Sequence, residues 1–446
     1  MEKENKNTEN KIIGTHYPGV INIPIQVTNA IRYQFSYCED LGESWPFHYD
    51  PKTNVMSLIS DRIPDVTPSK ALYFTKGYCI EDEREDLYKY PRIVYKISED
   101  TSQGKVYLAI VNFADAKIII AVKVDRIDIV NKSKWIIPLK ETFLKGKYHH
   151  RPYIVISSAY MDALCSVLFS HLVEEQISPH FPLCYATYFA GAKYKRNTTQ
   201  MDSKGTPSQM IWMEYLPHSM ASVLYGECDA RKWWSAIFQV FAALCIIRNK
   251  YKAIHNDFHC KNVRVRKVSK ESFLYYALVT QKGVRKFVKV PTYGFVYVLI
   301  DFGRCLIFPW KDKRSDSKDI GLISHEFYSG NVRNMIPDNP TIDIVRLITS
   351  IEDIARQSIR NKEQLDELKR LFIFCCETNN KTNLLAKINS KSNQDFLDFY
   401  LEELPRKICT GLSVFDVMIH FLYRKFRIPE SEVPSDIFPF IIPLYE

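Results

Sequence analysis

The sequence predicts an α+β chain of two lobes, a small β-rich lobe followed by a larger, mainly helical one that carries an inserted β-hairpin. Three observations predict it. Short β-branched and aromatic runs crowd residues 92–124, apolar-periodic helical segments dominate beyond Pro217, and two strand-like runs around Gln281-Lys282-Gly283 interrupt that second part. Strands first and helices afterwards is the pattern of segregated layers, not of alternating βαβ units. The 446 residues exceed one ordinary domain of roughly 100–200 residues, and suit a two-lobed protein with insertions. The expected divisions are a tail and extension over 1–90, the first lobe over 91–214 and the second over 215–446.

Composition narrows the class. A hydrophobic fraction of 46% with 13% aromatic residues belongs to a packed globular protein and excludes wholesale disorder. The formal charge of +9 is spread among acids along the chain. That favours anionic partners weakly and does not indicate nucleic acid. The eleven cysteines are scattered, odd in number and without a CxxC pair, as in a reduced intracellular protein. The start, MEKENKNTENK, is charged and lacks the apolar stretch of a secretory signal, and no run of about 18 uninterrupted apolar residues occurs later. The expectation is a soluble intracellular protein with no membrane partner.

The elements follow in order. Residues 1–11 have almost nothing to bury and read as a solvated tail, and 12–90 as a small extension of unassigned role. RIVYKI, KVYLAIV and KIIIAVKV, separated by polar turns, read as three antiparallel strands. In ISSAYMDALCSVLFSHLVEE, Ala163, Leu164, Val167, Leu168 and Leu172 recur at helical spacing. The polar stretch KYKRNTTQMDSKGTPS reads as an exposed loop, and SQMIWMEYL after it as a strand. WWSAIFQVFAALCIIRNKY is apolar nearly all round, which predicts a buried helix. Helical patterns follow at 341–357, 363–376, 394–403 and 412–425. FLYYALVTQKGVRKFVKV predicts the inserted hairpin. His180, in SPHFP, has no Cys or His at metal spacing and reads as a packing or capping residue.

The chemistry-bearing residues sit at the junction of these parts. In His255-Asn256-Asp257-Phe258-His259-Cys260-Lys261-Asn262, an Asp follows a His by two residues and an Asn follows that Asp by five. A buried helix leads into this run. Downstream, YVLI leads into Asp301-Phe302-Gly303-Arg304. The first run resembles the catalytic loop of the protein-kinase superfamily, His-Arg-Asp-x-x-x-x-Asn, and the second its Asp-Phe-Gly element. The bland alternative has Asp257 capping a turn and Asp301 ending an edge strand; it leaves the spacing and the order unexplained.

The resemblance implies a bilobal protein-kinase-like fold and transfer of the γ-phosphoryl group of ATP to protein Ser/Thr hydroxyls, with Mg2+. Asp257 would orient the acceptor hydroxyl and accept its proton. Asn262 and Asp301 would be the metal ligands, as hard oxygen donors. Lys123, in AVKV, resembles the strand lysine that clamps the nucleotide phosphates, although an ordinary solvated strand lysine is the other reading. Gly104 is the single glycine left of a phosphate loop that normally uses three for close backbone approach, and Val106 would roof the adenine. WMEYL resembles the hinge between lobes, where Glu214 would reach adenine or ribose. Asp162, one methylene shorter than the family's Glu, is the candidate partner for Lys123. Asp343 resembles a buried helix aspartate that accepts hydrogen bonds from the catalytic loop.

Three departures bear on mechanism. Asn256 replaces the family's Arg, which removes the cation that docks a phosphorylated activation segment. His259 stands where a lysine usually steadies the γ-phosphate, and Lys261 could reach the same oxygens. The interval between Asn262 and Asp301, 38 residues, holds the hairpin. Together with VPTYG and DFGR, these features are similar to serine/threonine kinases encoded by giant DNA viruses, of the mimivirus-like group. The resemblance covers roughly residues 92–350 and implies, for a viral protein, the host cytoplasm or a virion. Two other readings stay open: a pseudokinase that binds nucleotide or partners without transfer, and a small-molecule kinase of the choline or aminoglycoside type. The segment after Asp301 contains Ser315, Ser317 and Ser324, and its Lys311, Lys313 and Arg314 could bind acidic substrate or a phosphoserine, or all six could be solvated loop residues. The lack of Arg at 256 predicts activity without prior phosphorylation there. The protein substrate is not legible.

Overall fold

A computed structural model describes residues 47–50, 55–58, 92–97, 104–113, 116–126, 137–138, 153–190, 208–225, 229–311, 319–324, 341–376 and 413–445. The expected tail 1–11, most of the 12–90 extension, the loop over 193–207, the charged run 312–318 and the helix over 394–403 lie outside the described residues. The chain is mixed α/β, with several small sheets and few helices among the described residues.

A short hairpin, β1 (Phe47–Asp50) and β2 (Val55–Leu58), comes first. The three expected strands follow as β3 (Arg92–Lys96), β4 (Gly104–Phe113) and β5 (Ala116–Arg126). Two short strands, β6 (Ile137–Pro138) and β7 (Tyr153–Ile156), lead into helix α1 (Ser158–Glu174). Next come β8 (Cys184–Ala190) and β9 (Ser208–Glu214). β3, β4, β5, β9 and β8 form one antiparallel sheet in that order. β8 was not anticipated; its run, CYATYFA, mixes small and aromatic residues and gives no strict alternation. The register sets Gly104 opposite Asp125 and Val106 opposite Lys123.

Beyond β9 the short β10 (His218–Ser219) and α2 (Met220–Leu224) precede α3 (Ala230–Tyr251). Asp229 caps α3 by accepting the Arg231 amide at 2.8 Å, and Lys252 ends it in the left-handed conformation. This helix is long and apolar enough to cross a membrane, but 89% of its apolar window is buried within the protein. Trp233, Phe238 and Phe241 are wholly buried, so the apolarity on every side is used by the core. Truncating Trp233 to Ala would cost about 3–5 kcal/mol by the usual cost of such a cavity.

The candidate loop follows, then β11 (Val263–Lys267), β12 (Phe273–Val279), β13 (Arg285–Pro291) and β14 (Phe295–Leu299). β12 and β13 are the expected hairpin, turned over residues 280–284 with Gly283 at φ +76°. It is not a free-standing insert. β17 (Arg427–Ile428) pairs with β13, and β18 (Phe440–Pro443) runs parallel to β12, so strands near the end of the chain complete a four-stranded sheet. His180 joins this sheet to the rest: Nε2 meets the Tyr276 hydroxyl at 2.7 Å and Nδ1 the Tyr297 carbonyl at 2.8 Å. Burial pushes its pKa down to about 3, so it is a neutral packing residue.

The segment after Asp301 contains β15 (Leu306–Lys311) and β16 (Asp319–Ser324), which pair with each other. β16 runs parallel to β7, directly ahead of α1, and β15 meets β2. The solvated-loop alternative is thus corrected for Lys311 and Ser324, which lie in β15 and β16: LIFPW and DIGLIS are apolar enough to pair. The second part is therefore richer in strand than expected. Its helices are α4 (Thr341–Ser358), α5 (Lys362–Cys376) and α6, which runs from Val414–Val417 through a π-helical turn, Met418–Leu422, into Tyr423–Phe426.

Candidate active site

Lys123 is the centre of a charge cluster that is buried except on its Asp301 side. Its Nζ lies 2.5 Å from Asp162 Oδ2, 2.7 Å from Asp301 Oδ1 and 3.1 Å from Asp125 Oδ2. The lysine comes from β5, Asp162 from the first turns of α1 and Asp301 from the end of the β14 segment, so three distant pieces of chain meet at one ammonium. Burial opposes its charge, yet the attraction of Asp125, Asp162 and Asp301 outweighs burial and holds its pKa well above that of a free lysine. Of the two readings of Lys123, the geometry excludes a solvated strand lysine.

Asp162 works with both oxygens. While Oδ2 meets Lys123, Oδ1 accepts the Phe302 amide at 2.8 Å. Phe302 is buried edge-on against Phe169 of α1, with centroids 4.8 Å apart. A Cβ at Gly303 would stand 3.4 Å from the Ser158 carbonyl, an ordinary van der Waals contact. Asp301 stands at φ +67°, a conformation that side-chain-bearing residues seldom adopt. Burial alone would raise its pKa, but Lys123 overrides this and lowers it.

Asp125, which the sequence reading did not single out, is the third carboxylate. It is two residues beyond Lys123, and period-2 alternation along a strand would have placed both on one face. Burial, reinforced by Asp162 and Asp301 and opposed by Lys123, pushes its pKa up to about 8. Its Oδ1 has no hydrogen-bond partner among the described residues. It fills the space above Gly104, where a Cβ would fall 1.9 Å from Oδ1 and 2.7 Å from the Val124 carbonyl. Close packing of strand against carboxylate thus accounts for glycine at 104.

The 255–262 loop is held from below by α4. Asp343 accepts the amides of His255 and Asn256, each at 2.7 Å, through separate oxygens. Arg346, one turn on, donates to the Asn256 carbonyl and lies 3.6 Å from Asp257 Oδ1. Ser350, a further turn on, accepts the Cys260 amide at 3.0 Å. Burial raises the pKa of Asp343, with His255, the two amides and Arg346 opposing. Within the loop, Asn262 Nδ2 donates to the Asp257 carbonyl at 2.9 Å, and the Ile300 amide donates to the Asn262 carbonyl at 3.0 Å, which brings loop and Asp301 segment side by side. Arg304 Nη1 approaches Asp257 Oδ1 to 3.3 Å. Lys261 is exposed, while burial lowers the pKa of His259.

One expected contact is differently employed. The carboxylate of Glu214 is gripped by both arms of Arg266, at 2.7 and 2.6 Å, and also receives the Leu183 amide at 3.3 Å. Arg266 sits on β11 and donates further to the Pro179 and Phe181 carbonyls. Glu214 therefore links β9 to β11 through its carboxylate. Val106 is half-buried opposite Lys123, with its carbonyl accepting the Ile97 amide at 2.7 Å. Of the serines named above, Ser324 is wholly buried; Ser315, Ser317, Lys313 and Arg314 lie outside the described residues. Among the described residues no group of three or more His, Cys, Asp or Glu is arranged to hold a metal ion.

No family model matches the chain. It is 25% identical over 233 residues to an uncharacterized protein, 098R, of Invertebrate iridescent virus 6, a match that takes in 47% of this chain and 32% of that protein. The chain thus spans about a third of the relative it matches. The similarity suggests a viral origin and supplies no activity.

Proposed function

We propose that the chain is an ATP- and Mg2+-dependent protein kinase acting on Ser/Thr hydroxyls, with a bilobal kinase-like fold whose lobes correspond to 91–214 and 215–446. The observation that carries this reading is the convergence of Lys123, Asp162 and Asp301, beside a loop in which Asn262 braces Asp257. A turn cap and an edge-strand end would not require three segments to meet at one ammonium. In this reading Lys123 holds nucleotide phosphates, and Asp162 keeps its ammonium extended. Asp257 orients the acceptor hydroxyl and takes its proton.

The donor set fits magnesium. Asp301 offers a carboxylate oxygen and Asn262 an amide oxygen, since its Nδ2 is already engaged; both are hard ligands, with the remaining positions left to phosphate and water. A bound magnesium ion would neutralise charge on the phosphates. Asp301 is more than a third exposed, so a turn of its carboxylate away from Lys123 meets little packing resistance. The substrate is proposed to be a protein of the cell in which the chain is made, in the host cytoplasm if the chain is viral.

A second reading, a nucleotide-binding scaffold without transfer, draws on two observations. Glu214 is occupied by Arg266, and Asp125 fills the space beside the single loop glycine. One experiment divides the readings: labelled ATP and Mg2+ with generic protein substrates and with small alcohols, for wild type and Asp257→Asn. Transfer to protein that Asp257→Asn abolishes, with nucleotide binding retained, is the expected result. Nucleotide binding with no transfer by the wild type would favour the scaffold, and transfer to alcohols alone a small-molecule kinase.

A further inference from the structure

Three side chains on one face of α4 hold the candidate loop. Asp343, Arg346 and Ser350 follow at i, i+3 and i+7, which aligns them along the helix. Asp343 accepts the His255 and Asn256 amides, and Ser350 accepts the Cys260 amide while donating to the Leu347 carbonyl of its own helix. Arg346 differs, because besides the Asn256 carbonyl it reaches the carboxylate of Asp257. Asn256 sits at φ +62°, a conformation that costs energy for a side-chain-bearing residue and persists when its surroundings impose it. The Arg346 guanidinium on its carbonyl, with Asp343 on its amide, imposes it from both sides of the residue.

Burial separates the two cations near Asp257. The side chain of Arg346 is 4% exposed and that of Arg304 is 35% exposed. Keeping a guanidinium out of water is costly unless charges and hydrogen bonds compensate. A loop anchor alone could be neutral, as Ser350 shows. The charge meets two carboxylates, Asp343 on its own helix and Asp257 in the loop, and of these only Asp257 belongs to the proposed chemistry.

We propose that Arg346 is a positioning residue for the reaction: from α4 it fixes the direction of the Asp257 carboxylate toward the acceptor hydroxyl. The inference rests on the kinase reading of Asp257 and deepens it. Arg304, half-buried and on the Asp301 segment, is the less enclosed of the two.

The test compares Arg346→Lys, Arg346→Gln and Arg346→Met with Asp257→Asn, each measured for thermal unfolding, ATP affinity, kcat and KM. Misdirecting a catalytic group by about 1 Å costs roughly 100-fold in rate, so Arg346→Met is expected to lose about 10- to 100-fold in kcat with KM for ATP within about twofold of wild type. Lys should recover part of the loss and Gln, which keeps a donor for the Asn256 carbonyl without the charge, should not. If Arg346→Met fails to fold, the Lys and Gln pair decides the matter alone. Wild-type kcat in folded Gln protein would overturn the proposal and make Arg346 a structural anchor. Should Asp257→Asn itself retain turnover, or the wild type transfer nothing, the kinase reading falls and the inference with it. Loss in Asp257→Asn alone removes only the role of Arg346.

Discussion

Lys123 Nζ and Asp162 Oδ2 stand 2.5 Å apart, joining β5 to α1 across 39 residues of sequence. Asp is one methylene shorter than Glu, so this contact requires α1 to lie close to the sheet and to the Asp301 segment. The same carboxylate also takes the Phe302 amide, so it fixes the lysine and the Asp-Phe-Gly backbone together.

Asp162→Asn keeps a carbonyl oxygen for the Phe302 amide but loses the charge. Lys123 is then pulled toward Asp125 and Asp301. We predict ATP affinity lower by about 10-fold, corresponding to about 1.4 kcal/mol, with thermal stability changed less than in Asp162→Ala. Asp162→Glu should not restore wild-type affinity, because an extra methylene must be fitted into a site that is 1% exposed. Titration calorimetry with ATP checks both statements; equal affinity in wild type and Asp162→Asn would contradict them.

Asp125 carries a pH dependence of stability. With its carboxyl pushed up to about 8 from an unfolded value of about 3.9, the folded chain holds a proton there that the unfolded chain lacks. Across that window the unfolded state binds fewer protons, so this residue's contribution to stability falls as pH rises from about 4 to about 8 and levels off above. Asn, neutral at every pH, removes the fall. The Tm advantage of Asp125→Asn over wild type is expected to grow from pH 5 to pH 8. A constant offset across that range would show that Asp125 is ionised throughout.

His259 and Lys261 compete for the phosphate-side role. Burial lowers the pKa of His259, which makes it less cationic near neutrality than a free histidine, whose pKa is about 6.5. Lys261→Ala should therefore reduce kcat more than His259→Ala at pH 7.5. Wild-type activity should show no rise between pH 7 and 6. A steep rise below about pH 6.5 that His259→Ala abolishes would assign the role to the histidine.

Ser324 is expected to remain unmodified. It is wholly buried at the end of β16, which is paired to β7 just before α1. A phosphate there would place about two negative charges in the protein interior. Protein made without a kinase partner is predicted to be active, and the Ser315, Ser317→Ala double variant to keep most of its turnover. Ser324→Glu should instead lower Tm sharply. Phosphatase treatment that abolishes activity, with phosphate mapped to residue 315 or 317 by mass spectrometry, would refute the prediction.

The sequence by itself determined what depends on local pattern. The loop 255–262 and the Asp301 element were legible because their spacing lies within a few residues. The strands β3, β4, β5 and β9, the hairpin β12–β13 and the helices α1, α3, α4 and α5 followed from periodicities of 2 and 3.6 residues. Tertiary structure decided which side chains meet. Asp162 was a candidate in sequence, but only folding set it against Lys123. Arg346 and Asp125 lie three and two residues from Asp343 and Lys123, on the same face in each case, yet nothing local distinguishes them from solvated charges. Arg266 took Glu214 through a pairing 52 residues apart in sequence, and the strands β15 and β16 found β7 and β2 only in the folded chain. Propensity and period are properties of one segment, whereas ion pairs, sheet neighbours and the burial that shifts a pKa belong to several segments at once, and no single segment of sequence encodes them.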